Sequence, residues 1–109
     1  MNKYELIITP NAKRHIIEIY DYILNHLFDN NAAIRFLELL EDKMNDMILF
    51  PNSYPLVEIE PWKSMGIRKR IVSPFIIYFS IDSLNMVIYV LIVVYGKRDQ
   101  FKQLNELDF

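Results

Sequence analysis

Residues 86–95, Met-Val-Ile-Tyr-Val-Leu-Ile-Val-Val-Tyr, form the longest strongly apolar run of the chain. β-Branched side chains dominate this run and Gly96 follows it, a pattern typical of a strand buried on both faces. The same run at the edge of a sheet would promote aggregation. It is also shorter than the roughly 18 residues that a membrane-spanning helix needs. The run therefore predicts a strand in the interior of a sheet.

Three more strands are predicted around this central one. Lys3–Thr9 precedes the helices, while Gly66–Ser73 and Phe75–Ile81 follow them and are separated by Pro74. In Gly66–Ser73 the side chains alternate, with Arg68, Arg70 and Val72 on one face and Ile67, Lys69 and Ile71 on the other. Asp82–Asn85 is rich in turn-forming residues and predicts a hairpin between the last two strands.

Residues 10–50 carry the periodicity of two amphipathic helices. Thr9-Pro10 is a start signal, because threonine caps a free backbone N–H and proline has none to satisfy. Asp29-Asn30-Asn31 ends the first helix and caps the second, and Phe50-Pro51 ends the second. The predicted fold is α+β, a single domain over residues 1–109: an N-terminal strand, an antiparallel helical hairpin and antiparallel strands in a small twisted sheet. Residues 98–109 fit a short final helix.

Composition excludes several classes of protein. The 109 residues are 52% hydrophobic and 24% charged, which fits one folded core, and they include no cysteine. Disulfide scaffolds and cysteine-based metal sites are therefore excluded, and a reducing compartment is favoured. No long apolar segment precedes Thr9-Pro10, so no secretory signal is expected. We expect a cytoplasmic protein without membrane contact, metal or small-molecule cofactor.

Charge is divided unevenly along the chain. Residues 1–60 carry five Lys and Arg against ten acids, a balance of −5, whereas residues 61–109 carry seven against four, a balance of +3. This asymmetry is compatible with a basic face for an anionic partner, and equally with an uneven solvated surface.

The two histidines were the first catalytic candidates to consider. His15 and His26 lie eleven residues apart in the first helix, and we expect them to point in roughly opposite directions as surface residues that share no metal. No nucleophile-elbow serine and no glycine-rich phosphate loop is present. The remaining candidates are a basic and aromatic set, expected to gather at one rim of the sheet and able to bind phosphate oxygens: Arg68, Arg70, Tyr95, Lys97 and Arg98.

The order of these elements resembles the RelE/ParE superfamily of bacterial type II toxins over nearly the whole chain. Each motif is loose alone, but their order and spacing together are fairly specific. The matching segments are 9–12, 19–23, 32–37, 49–51, 68–72, 75–82 and 93–99.

The resemblance implies a growth-inhibiting toxin, of the kind found in plasmid stabilisation, that a cognate antitoxin neutralises. Such antitoxins add a helix and a strand to the toxin, which fits the second apolar flank of the first helix at Ile17, Leu24 and Phe28. ParE-like members poison DNA gyrase and have no enzymatic activity. RelE-like members cut messenger RNA on the ribosome without a metal, and only in that case would the basic and aromatic set be catalytic.

The departures from the RelE-like pattern favour the ParE-like branch. Ser73-Pro74-Phe75-Ile76 lacks the arginine that RelE-like members carry near their penultimate strand, and residues 100–104 lack an obvious catalytic tyrosine or histidine. A pI near 5.6 is also unusual for a protein that must displace counterions from ribosomal RNA. Gyrase is therefore the favoured target, and RelE-like cleavage of messenger RNA is the alternative.

Overall fold

The structure is a computed structural model, and it describes residues 3–96. Two helices are packed on one face of a four-stranded sheet whose strand order is β1-β4-β3-β2. Helix α1 begins directly after β1, and a short 3-10 turn follows α2. The elements are β1 (Glu5–Ile8), α1 (Pro10–Asn25), α2 (Asn30–Met47), the 3-10 turn (Pro51–Ser53), β2 (Arg68–Val72), β3 (Phe75–Asp82) and β4 (Val87–Tyr95).

Strand β4 lies in the interior of the sheet, as its composition predicts. It pairs in parallel with β1, where Ile8 lies opposite Val90, and antiparallel with β3 along its whole length. The pairing shifts at Leu91, which is an extra residue between the partners of Tyr78 and Phe79. Because side chains alternate along a strand, this bulge changes which residues of β4 face the helices.

The helical face of the sheet holds the larger core. Thr9 caps α1 by accepting a hydrogen bond from the Ala12 N–H at 3.3 Å, and Asp29 caps α2 by accepting one from the Ala32 N–H at 2.9 Å. Both predicted helix starts are confirmed. The buried side chains that the helices and the sheet bring together are Ala12, Ile19, Ile23, Ala33, Phe36, Leu40, Met44, Met47, Phe75, Ile77, Phe79, Ile88, Val90 and Val93.

A second apolar cluster covers the other face of the sheet. The segment between the 3-10 turn and β2 crosses the edge of the sheet and places Val57, Trp62 and Ile67 there. These side chains pack with Tyr78 and Ile92. Both faces of β3 and β4 are consequently covered by apolar side chains, whereas Ile71 of β2 is 64% exposed on the second face.

The predicted α+β architecture is confirmed, with a helical hairpin between the first strand and three antiparallel ones. Two strands are shorter than predicted at both ends, since Lys3–Thr9 becomes Glu5–Ile8 and Gly66–Ser73 becomes Arg68–Val72. The strand predicted at Phe75–Ile81 extends one residue further, to Asp82. The hairpin at Asp82 is also present, and the Asp82 carboxylate accepts from the Asn85 N–H at 3.1 Å. The predicted helix over residues 98–109 lies outside the described residues.

Candidate functional site

Arg68 and Arg70 tie the end of the second helix and the chain after it to β2. The Arg68 guanidinium donates to the backbone carbonyls of Tyr54 at 2.6 Å and Asn52 at 3.3 Å. The Arg70 guanidinium donates to the Tyr54 hydroxyl, pairs with the Asp46 carboxylate at 3.6 Å and lies 4.9 Å from the centre of the Tyr54 ring. Both cations are thus engaged by groups within the protein.

Tyr95 lies far from Arg68 in the sheet. It is opposite Phe75 on β3, and Phe75 is opposite Val72 on β2, so Arg68 is four residues further along β2 and two strands away. That separation along the strand alone is about 13 Å. The expectation that Arg68 and Tyr95 share one rim does not match this register. Lys97 and Arg98, the other two members of the set, lie outside the described residues.

A cleft of about 560 Å³ separates the second half of α1 from the end of β4. Tyr95 and Gly96 contribute to its β4 side, and Tyr22 and His26 to its α1 side. The Tyr22 and His26 rings are stacked with centroids 5.0 Å apart, and the Tyr22 and Tyr95 rings are tilted at 6.1 Å. We call this space the α1–β4 cleft; its lining residues are His15, Glu18, Ile19, Asp21, Tyr22, Asn25, His26, Val93, Tyr95 and Gly96.

The prediction that His15 and His26 point in opposite directions is wrong, because both line the α1–β4 cleft. Eleven residues at 3.6 residues per turn make about three complete turns, so the two side chains lie on the same side of the helix. The prediction that both are surface residues is also wrong for His15, which is only 4% exposed. The helical spacing in the sequence was sufficient to find this pair.

His15 continues the pairing of β4 beyond the end of β1. The parallel ladder stops at Ile8 and Val90, and the Val93 N–H donates instead to His15 Nδ1 at 3.4 Å. His15 Nε2 also lies 3.5 Å from the Arg14 guanidinium. An imidazole nitrogen that accepts a backbone hydrogen bond satisfies a donor that burial would otherwise leave costly. His15 therefore has a structural role in joining α1 to β4.

A second cleft, of about 500 Å³, lies on the other side of Tyr95 between the helical hairpin and the start of β3. Its walls are mainly apolar and include Leu27, Phe36 and Phe75. Tyr95 lines both clefts and separates them.

The predicted antitoxin-binding residues lie on α1 and in the turn after it. Ile17 is 60% exposed and Phe28 is 87% exposed, whereas Leu24 is half-buried and packs against the core cluster. Ile17 and Leu24 lie about 20° apart around α1, and Phe28 follows in the turn beyond the C-cap His26. We call these three residues the outer stripe of the hairpin. Large apolar side chains with this exposure mark a surface that a partner could cover.

Three groups with shifted pKa values, Tyr78, Asp82 and Glu60, lie away from both clefts. Burial raises the pKa of Tyr78, which packs beneath the segment that carries Trp62. Hydrogen bonds from Asn85 lower the pKa of Asp82, and hydrogen bonds from Ser64 lower that of Glu60. Within residues 3–96, no three His, Asp or Glu side chains are grouped as a metal site would require. In the same range, neither helix has the length and apolar character needed to cross a bilayer.

The fold and the hairpin define a class of small α+β protein in which two helices cover one face of a mixed sheet. Residues 6–100 match the model of a family described as "ParE toxin of type II toxin-antitoxin system, parDE". The chain therefore belongs to the ParE family of toxins of type II toxin–antitoxin systems. This membership confirms the superfamily resemblance. No curated protein sequence matches the chain significantly.

Two solved structures share the fold at low sequence identity. One is described as the chromosomal ParDE toxin–antitoxin system from P. aeruginosa, with a TM-score of 0.69 and 17% identity over 86% of this chain and 97% of that one. The other is the toxin–antitoxin complex RelBE2 from Mycobacterium tuberculosis, with a TM-score of 0.62 and 16% identity over 86% of this chain and 99% of that one. At these identities the likeness concerns the fold alone.

Proposed function

We propose that the chain inhibits bacterial growth by binding DNA gyrase, and that a cognate antitoxin neutralises it by covering the hairpin. The observation that carries the proposal is the match of residues 6–100 to the ParE toxin family. The P. aeruginosa neighbour, described as a ParDE system, points to the same branch.

The contacts of the two strand arginines also favour a binding mechanism over RNA cleavage. Cleavage of RNA without a metal needs cations that reach the developing charge on the phosphate. Arg68 and Arg70 instead donate to carbonyl, hydroxyl and carboxylate groups of the protein itself, and Arg68 is remote from Tyr95 in the register of the sheet. These contacts of Arg68 and Arg70 support a mechanism that depends on binding.

Expression without antitoxin separates gyrase poisoning from messenger RNA cleavage. We expect growth arrest with filamentation and a DNA-damage response, and inhibition of supercoiling when purified protein is added to gyrase. The Arg98→Ala variant is the discriminating control, since the alternative requires that it stop killing while antitoxin binding persists. Rapid cleavage of messages with unaffected gyrase would establish the RelE-like alternative. Unimpaired growth would exclude both mechanisms.

The antitoxin surface is tested with matched aspartate substitutions. Ile17→Asp and Phe28→Asp place a charge on the outer stripe of the hairpin, where both side chains are mostly exposed. Ile71→Asp is the control, because Ile71 is 64% exposed on the opposite face of the sheet from the helices. We expect the two stripe variants to weaken antitoxin binding by about tenfold or more in calorimetry, a loss of about 1.4 kcal/mol. Equal weakening by Ile71→Asp would contradict the assignment.

A further inference from the structure

The walls of the α1–β4 cleft combine carboxylates with aromatic rings. Glu18 and Asp21 contribute carboxylates from α1, and both are exposed. Tyr22 and Tyr95 present tilted rings 6.1 Å apart. An arginine or lysine head group is stabilised by both kinds of partner, through charge-assisted hydrogen bonds and through attraction to the ring faces. The volume of about 560 Å³ is sufficient for one long side chain with part of its backbone.

The charge of the cleft selects against phosphate and nucleic acid. Among residues 3–96, the lining includes two acids and no lysine or arginine, a formal charge of −2 when the histidines are neutral. The Arg14 guanidinium lies 3.5 Å from Nε2 of His15, one of the lining residues. A phosphate would meet two carboxylates, whereas a guanidinium or ammonium group would neutralise them.

The cleft adjoins the outer stripe of the hairpin on the same helix. At 100° per residue, Asp21 lies about 40° around α1 from Ile17, and Glu18 lies about 100° from it. The core side of the helix, marked by Ile19, lies about 160° away in the opposite direction. A partner chain on the outer stripe therefore passes the mouth of the cleft at Asp21.

We propose that the α1–β4 cleft receives an arginine or lysine side chain of the antitoxin, held by Glu18 and Asp21 and by the rings of Tyr22 and Tyr95. This inference rests on the proposed function only in taking the antitoxin as the partner. The carboxylates select the charge of the inserted side chain, and the tyrosines favour the flat guanidinium of arginine.

The first experiment uses Nα-acetyl-arginine amide as the probe and the full chain, labelled with ¹⁵N, in NMR titrations. We expect shifts at Tyr22, His26 and Gly96 that weaken as salt is added. The citrulline analogue has nearly the same shape without the charge, and we expect it to bind at least about tenfold more weakly. Equal binding of the two probes, or shifts confined to other surfaces, would overturn the proposal.

Charge-neutral variants locate the site and connect it to the antitoxin. Glu18→Gln combined with Asp21→Asn should lower the affinity for the arginine probe and the affinity for the antitoxin, each by about tenfold or more. Glu41→Gln combined with Glu58→Gln changes the net charge equally at exposed positions outside the cleft, and should leave both affinities within about twofold.

Two further outcomes separate this inference from its premise. If the unsubstituted chain forms a tight complex and the cleft variant binds the antitoxin equally well, the inference fails and the proposed function stands. If the unsubstituted chain forms no complex with the antitoxin, the proposed function itself fails. Lys97→Gln combined with Arg98→Gln tests the chain's own cations as the occupant. A tenfold gain in probe affinity in that variant would overturn the proposal, whereas an unchanged affinity supports it.

Discussion

The Arg70→Met substitution tests whether Arg70 stabilises the fold or acts on a target. It removes the guanidinium and keeps an apolar stem of similar length. The hydrogen bond to the Tyr54 hydroxyl contributes about 1 kcal/mol and the position over the Tyr54 ring about 0.5–1 kcal/mol. The ion pair adds about 0.5 kcal/mol at most, because the Asp46 side chain is 59% exposed. Since one group makes all three contacts, we expect a total loss of about 1–2 kcal/mol.

Urea unfolding with a double-mutant cycle isolates the contact with Tyr54. Tyr54→Phe removes the hydroxyl and retains the ring, so the coupling between the two substitutions reports the hydrogen bond, at about 0.5–1.5 kcal/mol. In thermal unfolding, the same loss lowers the midpoint temperature by on the order of 4 °C for each kcal/mol. Lys69→Met is the matched control on the opposite face of β2, and it should change stability by less than about 0.5 kcal/mol.

The toxicity of the Arg70 variant decides between the two roles. A structural role predicts that growth inhibition declines only as the folded fraction declines. A structural role also predicts that the variant regains growth inhibition when it is assayed at a lower temperature, at which it is folded. A coupling energy indistinguishable from zero would refute the structural reasoning. Complete loss of toxicity in a variant of unchanged stability would likewise refute it, and would assign Arg70 to contact with the target.

Three further predictions concern the stability of other parts of the fold. Thr9→Ala removes the cap of α1 and the hydrogen bond to the Val90 carbonyl at 2.8 Å. It should lower the free energy of unfolding in urea by about 1–2.5 kcal/mol, whereas Thr9→Ser should retain most of the stability. Asp82 has a lowered folded-state pKa through Asn85, so its contribution is complete above its unfolded-state pKa and is lost as pH falls through the folded value; Asp82→Asn should flatten acid unfolding curves in that window. Trp62→Ala should cost about 3–4 kcal/mol, because the side chain is 8% exposed; a cost below about 1 kcal/mol would show that the second cluster contributes little.

The strength of local signals explains how much of the fold the sequence predicts. Residues 86–95 are too apolar for an edge strand, and they form the inner strand β4 over Val87–Tyr95. Thr9-Pro10 and Asp29 are capping signals that act within one helical turn, so the two helix starts could be read from adjacent residues.

Features that depend on distant residues were not predictable in the same way. The bulge at Leu91 arises from a register shift between β3 and β4, and nothing within the apolar run distinguishes that position. The segment after the 3-10 turn contains loop-forming prolines, yet it carries Val57 and Trp62 into a second core. Their burial requires that the segment cross the edge of the sheet, which is a tertiary property.

The candidate site illustrates the same distinction between spacing and register. Helical spacing alone places His15 and His26 on one side of α1, so that part of the cleft could have been found from the sequence. The separation of Arg68 from Tyr95 could not, because it depends on how β2 and β4 are each aligned with β3. The register between strands decides whether two such side chains lie at the same end of a sheet or at different positions along the strands.

Helix α1 turns its core side, the α1–β4 cleft and the outer stripe in different directions, and we expect substitutions on these three sides to have different effects. Ile19 is 8% exposed and packs in the core beneath the α1–β4 cleft, so its truncation should lower stability more than any binding affinity. Glu18 faces the α1–β4 cleft, and its neutralisation should alter charge-dependent recognition in a stable fold. Ile17 is 60% exposed on the outer stripe, and its replacement should affect apolar docking with little dependence on salt. Three consecutive residues thus report on folding, charge recognition and apolar contact, because each is turned by about 100° from the next.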